Sequence, residues 1–308
     1  MSRAFILLLV GPTASGKSRL ALQVAAAVGG ELVNCDAQQT YRHLDIATAK
    51  PSAEDRTRIP HHLYDVVDPD KKINAVLYAA MADAAIAEIA GRGRLPLVVG
   101  GTGLYMRTLL RGVARIPDVP TAVRDQVLQT LAAEGPPALH ARLQEVDPAA
   151  AERLHPNDVQ RVGRALEVFI ATGTPISEYQ ASHRFAEVRY PHAAFALEWP
   201  IEELKQRIRM RVDQMFDAGL LNEARTLLEQ GYPRNLRAFK ALGYREAFAV
   251  LDGKLTEHEA RERIKILHRQ YAKRQLSWFR KEQVTWLPGE DSEAAVEMML
   301  KACQHSPE

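Results

Sequence analysis

The apolar run Phe5–Val10 and the octet behind it, GPTASGKS at Gly11–Ser18, constrain the fold more than any other stretch of the chain. A short apolar run closed by glycine predicts a strand buried on both faces of a parallel sheet. The spacing Gly11-x-x-x-x-Gly16-Lys17-Ser18 predicts a phosphate-binding loop that opens a helix. In such a loop backbone N–H groups aim at phosphate oxygens, and the helix N-terminus adds a favourable field. Lys17 supplies a point charge, and the Ser18 hydroxyl suits Mg²⁺. Loops of this kind usually hold ATP, yet the loop recognises only phosphate, so the pattern leaves open what carries the phosphate.

A buried strand feeding such a helix calls for more parallel strands, and the residues up to about 115 supply them. Gly16–Val28 reads as a helix stopped at Gly29-Gly30, Glu31–Cys35 as a strand ending at Asp36, and His61–Val67 as a third strand. Asn74–Ala90 is an Ala-rich helix stopped by Gly91 and Gly93, and Leu95–Val99 is a buried strand closed by Gly100-Gly101. The succession predicts an α/β fold: a P-loop NTPase-like parallel sheet core with helices on both faces. The pattern changes at RIPDVP, Arg115–Pro120. From Thr121 to about Thr172 only helical periodicity is present, broken at Gly135-Pro136-Pro137, Asp147-Pro148 and His155-Pro156. Phe195–Trp199 returns as a strand. Thr256–Lys281 is a long helix opened by the capping box Thr256-x-x-Glu259, and Val284–Leu287 is a last edge strand. The expected organisation is a core in two parts, 1–117 and 187–308, the second carrying a basic C-terminal helix, around an all-helical insertion at 118–186.

Composition narrows the function classes. The net charge is only +2, so any affinity for nucleic acid must come from local patches. Two cysteines, Cys35 and Cys303, fit a reducing compartment, exclude a disulfide scaffold and have no metal-ligand spacing. The adjacent His61-His62 face opposite sides of a strand and make a poor metal pair, so no zinc site is expected. The start of the chain reads as a buried strand and not a signal peptide. No run approaches the roughly 20 apolar residues of a membrane span. A cytoplasmic protein with no membrane partner is the expectation.

Parallel strands bring their C-terminal ends to one crevice, where ligands bind. Beside the loop, that crevice receives DAQQTYR, Asp36–Arg42, and GGTGLY, Gly100–Tyr105. Asp36 could support a metal, act as general base or cap a helix, and the pattern does not separate the three. An ATPase would place an acid at the end of a strand such as Leu95–Val99, where this chain has glycines; that weakens a small-molecule kinase as the alternative. Two further segments point towards nucleic acid. In HPNDVQRVGRALEVF, His155–Phe169, a helical period of roughly 100° per residue gathers Val159, Val162, Leu166 and Phe169 on one side and Gln160, Arg161 and Arg164 on another. Arg261–Lys281 holds eight Lys and Arg against one acid, Glu262. Arg261, Lys265, Arg269 and Lys273 recur every fourth residue and form a stripe, which like-charge repulsion makes unfavourable by about 0.2–0.5 kcal/mol per pair unless an anionic partner reverses it. Ile264, Leu267, Tyr271 and Trp278 follow core spacing.

The segments GPTASGKS, DAQQTYRHLDIATAKP, HHLYDVVDP, GGTGLY, HPNDVQRVGRALEV, KALGYRE and YAKRQLSWFR occur here in the order found in bacterial tRNA dimethylallyltransferases, also called tRNA isopentenyltransferases. The chain resembles that family over about residues 4–287. The resemblance implies transfer of a dimethylallyl group from dimethylallyl diphosphate to the exocyclic amine of the adenosine 3′ of the anticodon, with release of pyrophosphate and a requirement for Mg²⁺. Its implied partners are the donor and a tRNA anticodon stem-loop, with the protein a monomer. An isopentenyltransferase acting on free AMP or ATP is a chemically close alternative. By the same resemblance the loop holds an allylic diphosphate, through Gly11, Pro12, Thr13, Ala14, Ser15, Gly16, Lys17 and Ser18, with Arg211 on the diphosphate and Ser18 at the metal. Asp36, Lys17 and Thr13 match catalytic positions. Asp36, Ala37, Gln38 and Gln39 match a segment that touches tRNA, and Thr102 a channel residue near the target base. Arg124, the run Gln160, Arg161, Val162, Gly163 and Arg164, then Lys240 and Arg245, and finally Lys273, Arg274 and Arg280, match further RNA contacts. The chain departs from the family pattern at Ala37, where serine is usual, at Ala47 for glycine, and at Thr40 for an aliphatic residue.

Overall fold

The computed structural model describes residues 3–114, 116–183 and 188–304. The strands are β1 (Ile6–Val10), β2 (Glu31–Asn34), β3 (His61–His62), β4 (Pro96–Val99), β5 (His192–Glu198) and β6 (Thr285–Pro288). They form one six-stranded sheet in the order β3-β2-β4-β1-β5-β6, and every pairing is parallel. Side chains alternate across a strand, and β1 divides its residues between two cores. Ile6, Leu8 and Val10 enter one with Val33 and Val98; Leu7 and Leu9 enter the other with Leu32, Leu97 and Val99.

The helices of this unit close both faces. Helix α1 (Lys17–Val28) lies on the second core through Leu20, Ala21, Val24 and Ala25. The first core is covered by α3 (Ala75–Gly91) and α4 (Gly103–Arg111), with the short α2 (Ala53–Arg58) between β2 and β3. Asn74 caps α3 by accepting from the Leu77 N–H at 2.8 Å. The strand expected over His61–Val67 is shorter than its apolar pattern suggested. Leu63 (φ 65) and Asp65 (φ 55) are left-handed, which ends pairing after His62, and Val67 returns only as a bridge to Tyr41.

Residues 111–188 form a second compact unit. It contains α5 (Thr121–Val146), broken at Gly135 with φ 78 and ψ 175, then α6 (Pro148–Arg153), α7 (Val159–Thr172) and α8 (Ile176–His183). Its own core holds Val127, Leu139, Leu143, Val162, Leu166 and Val168, with Ile116 and Val119 packed against it. Those last two residues belong to RIPDVP, so the helical unit starts before residue 118. Its expected end at 186 falls within 184–187, outside the described residues.

After β5 the first unit continues with α9 (Ile201–Asp217), α10 (Leu220–Glu229), a 3-10 turn at Arg237–Lys240, α11 (Tyr244–Leu251), α12 (Glu257–Phe279) and, after β6, α13 (Ser292–Gln304). Both arms of the capping box form at α12: the Glu259 N–H donates to Thr256 Oγ1 at 3.2 Å, and the Thr256 N–H donates to Glu259 Oε2 at 2.8 Å. No helix among the described residues is long and apolar enough to cross a membrane.

Candidate active site

Strand order assembles the site. β4 lies between β2 and β1, with Val99 in register with Asn34 on one side and Leu9 on the other. The chain leaving β4, Gly100–Thr102, therefore runs between Asp36 and the loop after β1. At Gly100 it can do so only as glycine. A Cβ on Gly100 would lie 2.1 Å from the Cys35 carbonyl, and one on Gly101 2.2 Å from Gln275 Nε2. The place where a metal-supporting acid would sit in an ATPase is filled by neighbouring backbone.

Asp36 is held by local hydrogen bonds. Asn34, fully buried, accepts the Asp36 N–H at 2.8 Å and donates through Nδ2 to the carbonyls of Asp36 and Leu63, each at 3.0 Å. One Asp36 oxygen accepts the Gln38 N–H at 2.9 Å, and the Ala37 N–H donates to Thr102 Oγ1 at 3.0 Å. Asp36 thus forms a local turn and not the helix cap left open by the sequence, and its carboxylate also lines the cavity described below. Thr40 is fully buried, its hydroxyl donating to the Ala37 carbonyl at 2.8 Å, which accommodates that departure from an aliphatic residue.

The phosphate loop is braced from outside by residues that sequence patterning did not single out. Ala14 (φ 63) and Gly16 (φ 92) are left-handed. The carbonyl of Ala14 accepts from Arg207 Nε at 2.8 Å, and that of Ser15 from Trp199 Nε1 at 2.9 Å, while the Arg207 guanidinium lies 4.0 Å from the Trp199 ring centroid. Inside, the Thr13 N–H donates to Gln275 Oε1 at 2.8 Å, and Gln275 Nε2 donates to the Gly101 carbonyl at 2.9 Å. One side chain of α12 thus ties together the loops after β1 and β4.

These elements enclose a cavity of about 240 Å³. Thr13, Lys17 and Ser18 line it from the loop; Asp36, Gln38 and Gln39 from the segment after β2; and Arg211 from α9. Lys240, His268, Tyr271, Arg274 and Gln275 line it as well. Lys17 Nζ donates to the Pro12 carbonyl at 2.7 Å. Desolvation, with the charge of Arg211 adding to it, lowers the Lys17 pKa to about 7 against the opposing pull of Asp36. Desolvation also pulls Arg211 down, opposed by Asp36 and Tyr271. Arg211 reaches the Thr48 carbonyl at 3.3 Å, but its buried Nε has no partner among the described residues. Burial and the Asp36 charge push the Tyr64 and Tyr271 hydroxyls up, so both stay protonated.

Several expected contacts lie elsewhere. Pro12 has no N–H to offer, and of the octet only Thr13, Lys17 and Ser18 face the cavity. In the helical unit, Val162 is fully buried and Gly163 packs on Val127, so the RNA contacts expected at these two positions are corrected to interior packing. Gln160 and Arg161 are exposed, Arg161 pairing with Asp158 at 2.7 Å; Arg124 and Arg164 both approach Glu167, at 3.8 and 3.3 Å. Arg245 and Lys273 are exposed and do not line the cavity. Arg280 faces a different groove, beside Trp286, and lies 3.7 Å from Glu198. The basic stripe on α12 is split. Arg261 and Lys265 are taken up by carboxylates of α9 and α12, whereas among the described residues Arg269, Lys273 and Arg274 make no ion pair. Tyr271, expected in the core by its spacing, lines the cavity, with the Arg274 guanidinium 5.7 Å from its ring centroid.

The arrangement places one carboxylate and two poorly partnered cations in the lining of one small cavity. It suits a ligand with an anionic end that leaves and a protic group that loses a proton. Comparison with known proteins agrees. Residues 39–282 match the family model described as IPP transferase. A tRNA dimethylallyltransferase of Anaeromyxobacter dehalogenans is 50% identical over 298 residues, 96% of this chain and 97% of the relative. One of Geobacter sulfurreducens is 48% identical over 287 residues, covering 93% and 92%. Among solved structures, a tRNA delta(2)-isopentenylpyrophosphate transferase of Staphylococcus epidermidis aligns with a TM-score of 0.72 at 35% identity, over 98% of this chain and 99% of that one. With a family model matching most of its length and relatives at about half identity end to end, the chain belongs to the IPP transferase family.

Proposed function

We propose that the chain transfers a dimethylallyl group from dimethylallyl diphosphate to the exocyclic amine of the adenosine 3′ of the anticodon in tRNA. The names of its relatives support the reading. The observation that carries it is the charge content of the cavity: Lys17, Arg211 and the Asp36 carboxylate line it together and act on one another. In the reaction the bond between the allylic carbon and the diphosphate oxygen breaks, and pyrophosphate leaves with the electron pair. The amine nitrogen bonds to that carbon and gives one proton to Asp36. Lys17, Arg211 and loop N–H groups stabilise the growing negative charge on the leaving group, and the carboxylate removes the proton as the weak nucleophile commits. The base must leave its stack to reach the cavity. Arg274 and Lys240 at the cavity wall, and Gln160, Arg161, Arg164 and Arg124 in the helical unit, are assigned to tRNA.

The residues at hand fit Mg²⁺. The Ser18 hydroxyl is a hard oxygen donor lining the cavity, and the ion takes few protein ligands when a diphosphate supplies the rest. Among the described residues no cluster of His, Cys, Asp and Glu offers a rival metal site. When bound, the ion would add charge stabilisation to the leaving pyrophosphate. The test is incubation with labelled dimethylallyl diphosphate and either bulk tRNA or AMP. Label in tRNA, dependent on Mg²⁺, is the expected result; label in AMP alone would shift the reading to a free-nucleotide isopentenyltransferase, and label in neither would remove it.

A further inference from the structure

His268 is the cavity residue that nothing above explains. It sits on α12 one turn before Tyr271 and two turns before Gln275, so all three share a face. Its side chain is buried, with the residue only 3% exposed, and it lines the same cavity as Lys17 and Arg211. Neither Nδ1 nor Nε2 has a hydrogen-bond partner among the described residues. A neutral imidazole carries one donor and one acceptor, and burying both unmet is unfavourable unless a ligand meets them. Tyr271 and Gln275, on the same face, are already engaged, Tyr271 by a hydrogen bond with Thr102 and Gln275 with the loops after β1 and β4.

The surroundings say which part of a ligand His268 would meet. The groups lining the cavity around it are the cations Lys17, Arg211, Lys240 and Arg274, the carboxylate Asp36 and the hydroxyls of Tyr64 and Tyr271. Desolvation first, and the positive charge of Arg211 second, hold the free imidazole neutral, with its pKa lowered to about 3. Arg211 is the charged group that acts on the ring, and the two line the same cavity. We propose that His268 is a further binding residue of this cavity, donating a ring N–H to the diphosphate of the donor. This rests on the function proposed above.

An anion brought against the ring also makes protonation easier, so diphosphate binding takes up a proton at His268. The sign follows. The bound ring holds its proton to higher pH than the free ring, so affinity gains as pH falls through the bound value, down to about 3 where the free ring also protonates. The probe is inorganic pyrophosphate, titrated calorimetrically into the full chain between pH 5 and 8. His268→Leu should weaken binding about tenfold, since a hydrogen bond to a charged group is lost. His268→Gln keeps an N–H but cannot titrate. It should keep more of the affinity, and the ratio of wild-type to Gln-variant affinity should rise towards pH 5, which cancels the ionisation of pyrophosphate itself. Imidazole nitrogen shifts of labelled wild-type protein give a reading that needs no variant to fold: one histidine signal should move from the neutral to the protonated range on adding pyrophosphate. Unchanged affinity in a folded Leu variant, or no histidine signal responding, overturns the assignment alone. Failure of the wild-type protein to bind pyrophosphate removes the diphosphate reading, and the assignment with it.

Discussion

Two pairs of cations in the same unit are treated in opposite ways. Arg261 and Lys265, at the start of α12, are packed against acids. Arg261 lies 2.7 Å from Glu257, 3.1 Å from Asp217 and 3.4 Å from Asp213; Lys265 lies 2.9 Å from Asp213 and 3.1 Å from Glu262. Burial pulls their pKa values down, but hydrogen bonds to carboxylates outweigh it and the net direction is up. Lys17 and Arg211 are more deeply desolvated, their hydrogen-bond partners are the carbonyls of Pro12 and Thr48, and their pKa values fall. The first pair is satisfied by the chain's own charges. The second has no ion pair among the described residues, and the charge of Asp36 only partly offsets its desolvation beside the cavity. Asp213 and Arg211 are two residues apart on α9, so one helix serves both purposes on nearly opposite faces.

The sharpest way to break this contrast is through the carboxylate that lines the cavity with these two cations. Asp36→Asn keeps the size of the side chain and an oxygen for the Gln38 N–H, but it cannot accept a proton. Transfer to tRNA should slow by about 10²–10⁴-fold, while pyrophosphate binding persists. Single-turnover rates with saturating donor check this. Near-normal turnover would reduce Asp36 to the turn former that its hydrogen bond to Gln38 already makes it.

Next in size is the contrast between the two cation pairs. Lys17→Ala and Arg211→Ala should each weaken pyrophosphate binding by about 10–100-fold, the range for losing one charge-assisted hydrogen bond. Arg261→Ala and Lys265→Ala should leave it unchanged and shift thermal stability by no more than about 1 kcal/mol, as surface ion pairs do. Equal losses from all four variants would mean that positive charge in general, and not the partnering of each residue, governs the site.

The same residues mark what was legible in the sequence. The loop, its strand and helix, and the position of Asp36 at a strand end follow from short-range patterns, because glycine spacing and apolar runs act locally. The strand order that sets Gly100–Thr102 between Asp36 and the loop is not local. Nor is the packing of α9 on α12, so the stripe from Arg261 to Lys273 read as uniform although half of it is neutralised by Asp213 and Asp217. His268 and Gln275 carry no signal in the sequence, and Tyr271 reads as core, for a related reason. Their spacing is that of a core face, and periodicity does not distinguish a face turned to packed side chains from one turned to a cavity. Val162 and Gly163 show the reverse error: matching a whole segment to RNA ignores that a helix buries part of every turn.

A smaller effect, in pH, separates the pairs again. With its pKa near 7, free Lys17 loses its proton over a range in which Lys265, raised by its carboxylates, stays charged. A bound diphosphate restores the Lys17 proton, so affinity should fall as pH rises above about 7, by up to about tenfold per unit. Lys17→Arg remains charged throughout. The ratio of wild-type to Lys17→Arg affinity for pyrophosphate should therefore decline from pH 7 to pH 9, and a flat ratio would show that the lysine is charged in the free protein.

The smallest expected effect lies on α12 itself, where the contrast runs along one helix. Arg269 and Lys273 make no ion pair among the described residues and lie beside the cavity-lining His268 and Arg274, whereas Arg261 and Lys265 are neutralised at the other end. If the unpaired end meets tRNA phosphates, binding there releases counterions and weakens with salt. Each contact removed should reduce the slope of log affinity against log salt by about one unit. It should weaken different tRNAs alike, because phosphate contacts carry no sequence information. Arg269→Ala with Lys273→Ala should thus lower the slope by about two units, and Arg261→Ala with Lys265→Ala should leave it unchanged, each measured by filter binding with helicity checked by circular dichroism. Equal slopes for the two double variants would dissolve the distinction between the ends of the helix. The intramolecular acids would then be competing with tRNA for the whole stripe, and the partnering seen around Arg261 would describe only the protein without its substrate.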